Sequence, residues 1–146
     1  MRLVAGHDET VNAWLTKFYG VFVAQHPRQI LGVVDRDGVL RGAFVLTSQS
    51  EASAELHVYG RTSNDTWKSL FALAFLDYGL SRLEVRTRRG NRTIKRNAPK
   101  FGFRFEGVAR SHYGPGRTND ALVYGMTEDQ CRWINHGLAV QVAESS

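Results

Sequence analysis

AELHVYGRTSNDTWKSLFALAFLDYGLSRLEVRT, residues 54–87, is the stretch whose reading decides the fold. Residues 54–59 alternate as a strand does, with Leu56 and Val58 on one face and Glu55, His57 and Tyr59 on the other. Trp67, Leu70, Phe71, Ala74, Phe75 and Tyr78 then recur at the spacing of one buried helical face. Ser63 or Asn64 is placed to cap that helix, and Gly79 stands just past its end. Leu83 and Val85 mark a second strand over residues 82–87. Strand, helix and strand in succession argue for a sheet covered by helices.

Working outward, residues 2–5 read as a short strand. A helix follows from Asp8, with Val11, Trp14, Leu15, Phe18, Val21 and Phe22 spaced for one buried face, and Pro27 closes that region. Residues 30–34 and 39–46 are two strands joined by Asp35-Arg36-Asp37-Gly38, a turn whose glycine serves the positive-φ position. Residues 47–53 are polar and read as a loop. Beyond the quoted stretch, residues 91–101 form a short helix burying Ile94, Ala98 and Phe101, its last turn distorted by Pro99. Phe103 and Phe105 alternate with Arg104 and Glu106 in a sixth strand. Residues 113–116 are a turn and 121–126 a seventh strand. Thr127-Glu128-Asp129-Gln130 has the form of a capping box and starts a terminal helix burying Cys131, Ile134 and Leu138. The order is β-α-β-β-β-α-β-α-β-β-α: an α/β (α+β) fold with a mixed central sheet of about seven strands flanked by helices. Residues 1–139 make one domain and 140–146 a frayed tail.

The 146 residues suit one domain, and one cysteine excludes both an internal disulfide and a cysteine-rich zinc site. His7, His26, His57, His112 and His136 lack ligand spacing, so no metal is expected. No apolar run approaches the ~18 residues of a membrane span and the N-terminus has no apolar signal core, which points to a cytoplasmic protein without membrane contact. Charge is uneven. Residues 81–117 hold 11 Lys/Arg against 2 Asp/Glu, while the rest of the chain is net acidic, so one quarter carries the whole positive excess. Such a segment meets phosphates, nucleic acid or an acidic partner, or is merely a solvated basic face.

Residues 75–82 (FLDYGLSR), Asn91 to Thr93, residues 102–110 (GFRFEGVAR) and residues 120–133 (DALVYGMTEDQCRW) together resemble the GNAT family of N-acetyltransferases. The likeness is to the branch acting like ribosomal-protein N-acetyltransferases, with an ending similar to phage-type versions. It covers nearly the whole chain in element order. The resemblance implies two parallel central strands, 54–59 and 82–87, that split into a V holding acetyl-CoA. Its pantetheine would pair near Val58 and Tyr59, and its pyrophosphate would sit at the N-terminus of the Trp67 helix, where free N–H groups favour anions. Arg61, Thr62, Ser63, Asn64, Asp65 and Thr66 stand where the family keeps its phosphate loop. Arg61 fits the pattern, whereas Asn64 and Thr66 replace small residues and Asp65 adds a negative charge. Asn91 would contact the pantetheine arm and cap the following helix, with Thr93 beside it. The family's tyrosine acid is missing: Ala98 stands seven residues after Asn91. The acid is then Thr93, Tyr113, Tyr124 or water.

Amine acylation needs a base for the ammonium proton and a route for protonating the thiolate. Glu55 and His57 share a strand face at the cleft. The resemblance implies a glutamate base here, and His57 has the pKa range for proton transfer. The expected activity is transfer of an acetyl group from acetyl-CoA to a primary amine of a protein or small molecule, by a monomer or homodimer. Two alternatives stand beside it: a nucleic-acid base-modifying enzyme using the basic 82–110 stretch, and a catalytically silent binding protein on the same fold.

Overall fold

The computed structural model describes residues 1–20 and 28–134. Seven strands and three α-helices are laid out in the expected order: β1 (Arg2–Val4), α1 (Asp8–Tyr19), β2 (Arg28–Val34), β3 (Leu40–Ser48), β4 (Ser53–Gly60), α2 (Asn64–Ala72), β5 (Arg82–Arg88), α3 (Arg92–Phe101), β6 (Arg104–Ala109) and β7 (Ala121–Thr127). The strands form one mixed sheet in the order β1-β2-β3-β4-β5-β7-β6. Every neighbouring pair is antiparallel except β4 and β5. That parallel pair follows from α2, which carries the chain back across the sheet between them.

Alternation sorts the side chains onto two faces. Leu31, Val33, Phe44, Leu46, Leu56, Leu83, Val85, Tyr124 and Met126 meet Trp67, Leu70, Phe71, Ala74 and Phe75 beneath α2 and α3 in the larger core. On the opposite face Val11 and Leu15 of α1 pack on Ile30, Ala43 and Val45, flanked by Trp14 and Tyr59. α1 packs chiefly on β2 and β3, and the same face of β5 carries the polar side chains of Glu84, Arg86 and Arg88.

Several local expectations need correcting. Phe18 does not join the buried face of α1: it is 60% exposed and packs on Trp14, because the stripe set by Val11 and Leu15 leaves the sheet after two turns. Val21, Phe22 and Pro27 lie outside the described residues. Thr47 and Ser48 belong to β3, not to a loop, because they pair with Glu55 and Ala54. The Trp67 helix is not uniformly α-helical. After Ala72 it widens into a π-helical stretch, Leu73–Asp77, which still buries Ala74 and Phe75. β6 begins at Arg104; Phe103 precedes it, deep in the core, while Phe105 is half exposed on the sheet edge. Thr127 starts no α-helix among the described residues: Glu128–Gln130 is one 3-10 turn with no side-chain cap, although Cys131 and Ile134 are buried as expected. Leu138 and the tail 140–146 lie outside the described residues.

Candidate functional site

β4 and β5 pair over three positions only, Ser53 with Arg82, Ala54 with Leu83 and Glu55 with Glu84. Beyond Glu55 the strands run on to Gly60 and Arg88 without pairing, so they splay into a V. The carbonyl of Ser53 accepts from the β3 side and that of Ala52 from the β5 side. By strand alternation, the backbone N–H and C=O of Val58 then point into the opening. Gly60 ends the strand at φ +72, a left-handed conformation that turns the chain toward α2; a Cβ there would also meet the Arg41 carbonyl and the Trp14 ring.

On the helix side the V opens into a cavity of about 370 Å³. Val58, Val85, Trp67, Ala98 and Phe101 make its apolar walls, and Thr62, Ser63, Asn64, Thr93 and Asn97 bring polar atoms. Trp67 stacks on Phe101 at 4.4 Å between ring centroids and donates its indole N–H to the Thr62 hydroxyl at 3.0 Å, which fixes the wall next to the α2 N-terminus.

That N-terminus is held by a reciprocal cap. The Ser63 hydroxyl accepts from the Thr66 N–H, and the Thr66 hydroxyl accepts from the Ser63 N–H at 2.9 Å while donating to the Ser63 carbonyl at 2.8 Å. Ser63, not Asn64, is the cap, and fully buried Thr66 is part of the lock. The cap engages the Thr66 amide, which leaves those of Asn64, a cavity-lining residue, and Asp65 as the first-turn donors. Arg61 and Asp65 are exposed and lie outside the cavity lining. Asn91 caps α3 by accepting from the Ile94 N–H at 3.1 Å.

The other face of the V is ionic. His57 Nε2 lies 2.9 Å from a Glu55 carboxylate oxygen, and Arg86 Nε lies 3.7 Å from the other. The His57 hydrogen bond outweighs burial and holds the Glu55 carboxyl below the usual carboxylate range. Glu84, opposite Glu55 on β5, is nearly buried. Burial alone would raise it, but hydrogen bonds from Arg86, Arg82 and Gln49 override this and set its carboxyl at about 2. Arg82 also pairs with Glu106, and Gly125 permits that layer, since a Cβ there would run into both groups. Tyr113 sits on this face with Arg86 and Arg88, its hydroxyl pKa raised by burial and by the Glu55 charge. Tyr59, next to α1, is raised for the same two reasons.

The structure therefore gathers Glu55, His57 and Tyr113 on the open face, and Val58, Thr62, Ser63, Asn64 and Thr93 around the covered cavity. Tyr124 is buried against Phe105. Sequence reasoning passed over Asn97, Val85 and the Glu84–Arg86 pair as site residues. Asn97 was detectable: Thr93, Asn97 and Phe101 are four apart and share one stripe of α3. For Glu84 the alternation places Arg82 and Arg86 two residues away on the same strand face, but nothing local brings Gln49 to it. Among the described residues no group of three or more His, Cys, Asp or Glu is placed to hold a metal. No described helix is long and apolar enough to cross a membrane.

No family model and no curated protein matches the chain by sequence. Solved structures do match by shape. A point mutant of spermidine N-acetyltransferase SpeG from Vibrio cholerae superposes with a TM-score of 0.72 at 12% identity, over 94% of this chain and 99% of that one. The spermidine/spermine N-acetyltransferase SpeG from Vibrio cholerae in complex with manganese ions gives 0.61 at 16% identity, over 80% and 75%. A GCN5-related N-acetyltransferase from Brucella melitensis gives 0.59 at 23% identity, over 70% of this chain and 52% of that one. The chain has the GNAT fold.

Proposed function

We propose that this chain is an N-acyltransferase that moves an acetyl group from acetyl-CoA to a primary amine of a protein or small molecule. The observation that carries the reading is the V itself: two parallel strands that part after three pairs, with a largely apolar cavity on one face and a carboxylate–histidine pair on the other. The residues present fit an acyl-CoA. An apolar slot with a strand edge suits an amide-containing arm, and first-turn amides at the α2 N-terminus suit phosphate. Acetyl-CoA supplies a thioester carbonyl open to attack and a thiol that leaves. The chain's part begins with Val58, whose backbone groups hold the arm in register along β4. Asn64 and Asp65 donate amides to the phosphates, with Arg61 offering charge from solvent.

The Glu55–His57 pair handles the proton. Glu55 accepts from His57 Nε2, which fixes the ring and leaves Nδ1 as the acceptor site, so the acceptor's ammonium proton is taken by the pair as a unit. Thr93 and Tyr113 remain the two hydroxyls for the departing thiol, one on each face of the V. The deciding experiment is calorimetry with acetyl-CoA, followed by thiol release with an amine panel. A submillimolar affinity with turnover is expected, and no heat at millimolar acetyl-CoA would defeat the reading.

A second reading has one observation in its favour. α3 carries Arg92, Lys95, Arg96 and Lys100, all exposed, with no carboxylate in the helix and no ion pair to any of them among the described residues. Such a face suits a nucleic-acid acceptor. Steeply salt-dependent duplex binding would support it, because neutralised phosphates release counterions. Assignment to the ribosomal-protein or phage-type branch, cytoplasmic location and the 1–139 domain extent belong to the same proposal.

A further inference from the structure

β5 leaves the V on the open face with a cluster in which the acetyl-transfer chemistry gives no part to Arg88. A shallow pocket of about 470 Å³ lies between the end of β5, the loop into α3 and the segment leading to β7. Arg86, Arg88, Asn91, Tyr113 and Thr118 supply its polar atoms. Its two cations are not equivalent. Arg86 is neutralised by Glu84 at 2.6 Å and lies 3.7 Å from Glu55. Arg88 has no carboxylate partner among the described residues. It donates one N–H to the Asn119 side chain at 2.9 Å and lays its guanidinium over the Tyr113 ring, 4.5 Å from the centroid. Stacking orients a guanidinium without neutralising it, so its remaining donors are aimed and still charged. Asn91 adds to this: its carboxamide oxygen is taken by Ile94, which leaves the NH₂ as a donor into the same pocket.

The Glu55–His57 pair lies outside the pocket's lining but is joined to it through Arg86, a lining residue whose Nε is 3.7 Å from the Glu55 carboxylate that His57 Nε2 meets at 2.9 Å. The geometry points to an acceptor of a definite class: a primary amine bearing a carboxylate or phosphate, with the amine at Glu55–His57 and the anion on Arg88. This rests on the acyltransferase reading and narrows its substrate. A polycationic amine is disfavoured, since it would bring a second ammonium against an uncompensated guanidinium.

The test separates the two levels. Acetyl-CoA binding by calorimetry examines the acyltransferase reading alone. O-phosphoethanolamine, β-alanine, ethanolamine and spermidine are then compared by calorimetry and by CoA-thiol release. The two anionic amines should show a kcat/KM at least about tenfold above ethanolamine and spermidine, the scale of one charge-assisted contact. Arg88→Ala should collapse the phosphoethanolamine-to-ethanolamine ratio by about 10–100-fold, mostly in KM, and Arg88→Lys should recover part of it. Equal or better use of spermidine, loss of both substrates alike in Arg88→Ala, or no binding of either anionic amine overturns the proposal. Arg88-dependent phosphoethanolamine binding in a protein that ignores acetyl-CoA would keep the pocket and discard acyl transfer.

Discussion

The two faces of the V are built from alternate residues of the same two strands, yet they are opposite environments. Val58 and Val85 look into a largely apolar cavity beside α2 and α3. Glu55, His57, Glu84 and Arg86 look the other way, onto a surface that α1 does not reach. A period of two makes the division automatic. A donor with a long apolar arm and an acceptor that must lose a proton can thus be held apart until they meet at the split. The comparison teaches that helix cover over β5, not strand sequence, decides which face does which job.

The largest expected effect is on the ionic face. Glu55→Gln should cut kcat/KM by about 10²–10⁴-fold near pH 6–7, the usual scale for acid–base catalysis, and His57→Asn should do the same. Both losses should shrink toward pH 9, where the acceptor amine is already neutral. Rate profiles from pH 6 to 9 decide it, and full activity of both variants at low pH would remove the pair from the mechanism.

Next comes stability of the same face. Glu84→Ala leaves Arg86 and Arg82 without their shared carboxylate and should cost about 3–5 kcal/mol in denaturant unfolding. The Glu84 carboxyl sits at about 2, below its ordinary value of 4.5. Its contribution is therefore present above pH ~5 and lost as the pH falls toward 2. A wild-type acid-unfolding profile with the same slope as Glu84→Ala would mean that Glu84 is not the group responsible.

Smaller effects belong to the covered face. Thr66→Val removes a buried hydroxyl that both accepts and donates in the α2 cap, and should cost about 1–2 kcal/mol. Because the cap orders the first turn, acetyl-CoA affinity should weaken with it; an unchanged affinity would place the phosphates elsewhere. Arg61→Ala should be the mildest, less than about fivefold in acetyl-CoA affinity, since the residue is exposed and screened. A larger loss would show that Arg61 folds onto the bound nucleotide.

Elements were legible wherever one period ran long enough. The alternation of residues 54–59, the Trp67–Tyr78 spacing and the Asn91 cap all reappear in the structure. The errors came where a local pattern met a tertiary boundary. Phe18 keeps helical phase but has no sheet beneath it, and the Thr127 box has the right letters without an α-helix following among the described residues. Residues 73–77 keep their buried positions although the backbone widens to π geometry, because burial depends on the stripe and not on the hydrogen-bond count.

By itself the sequence determined the strand and helix order, the two-faced character of β4 and β5, and the placing of Glu55 and His57 on one side. Those follow from period and capping, which act over a few residues. The tertiary structure alone decided that β4 and β5 part after Glu55, that Glu84 draws together Arg82, Arg86 and Gln49, and that Arg88 lies over Tyr113 with no carboxylate partner among the described residues. Each of these depends on residues far apart in the chain: β4 and β5 for the split, Gln49 for Glu84, and Tyr113 for Arg88. Local spacing fixes the direction a side chain points, while the neighbour it meets depends on how the whole sheet twists and closes.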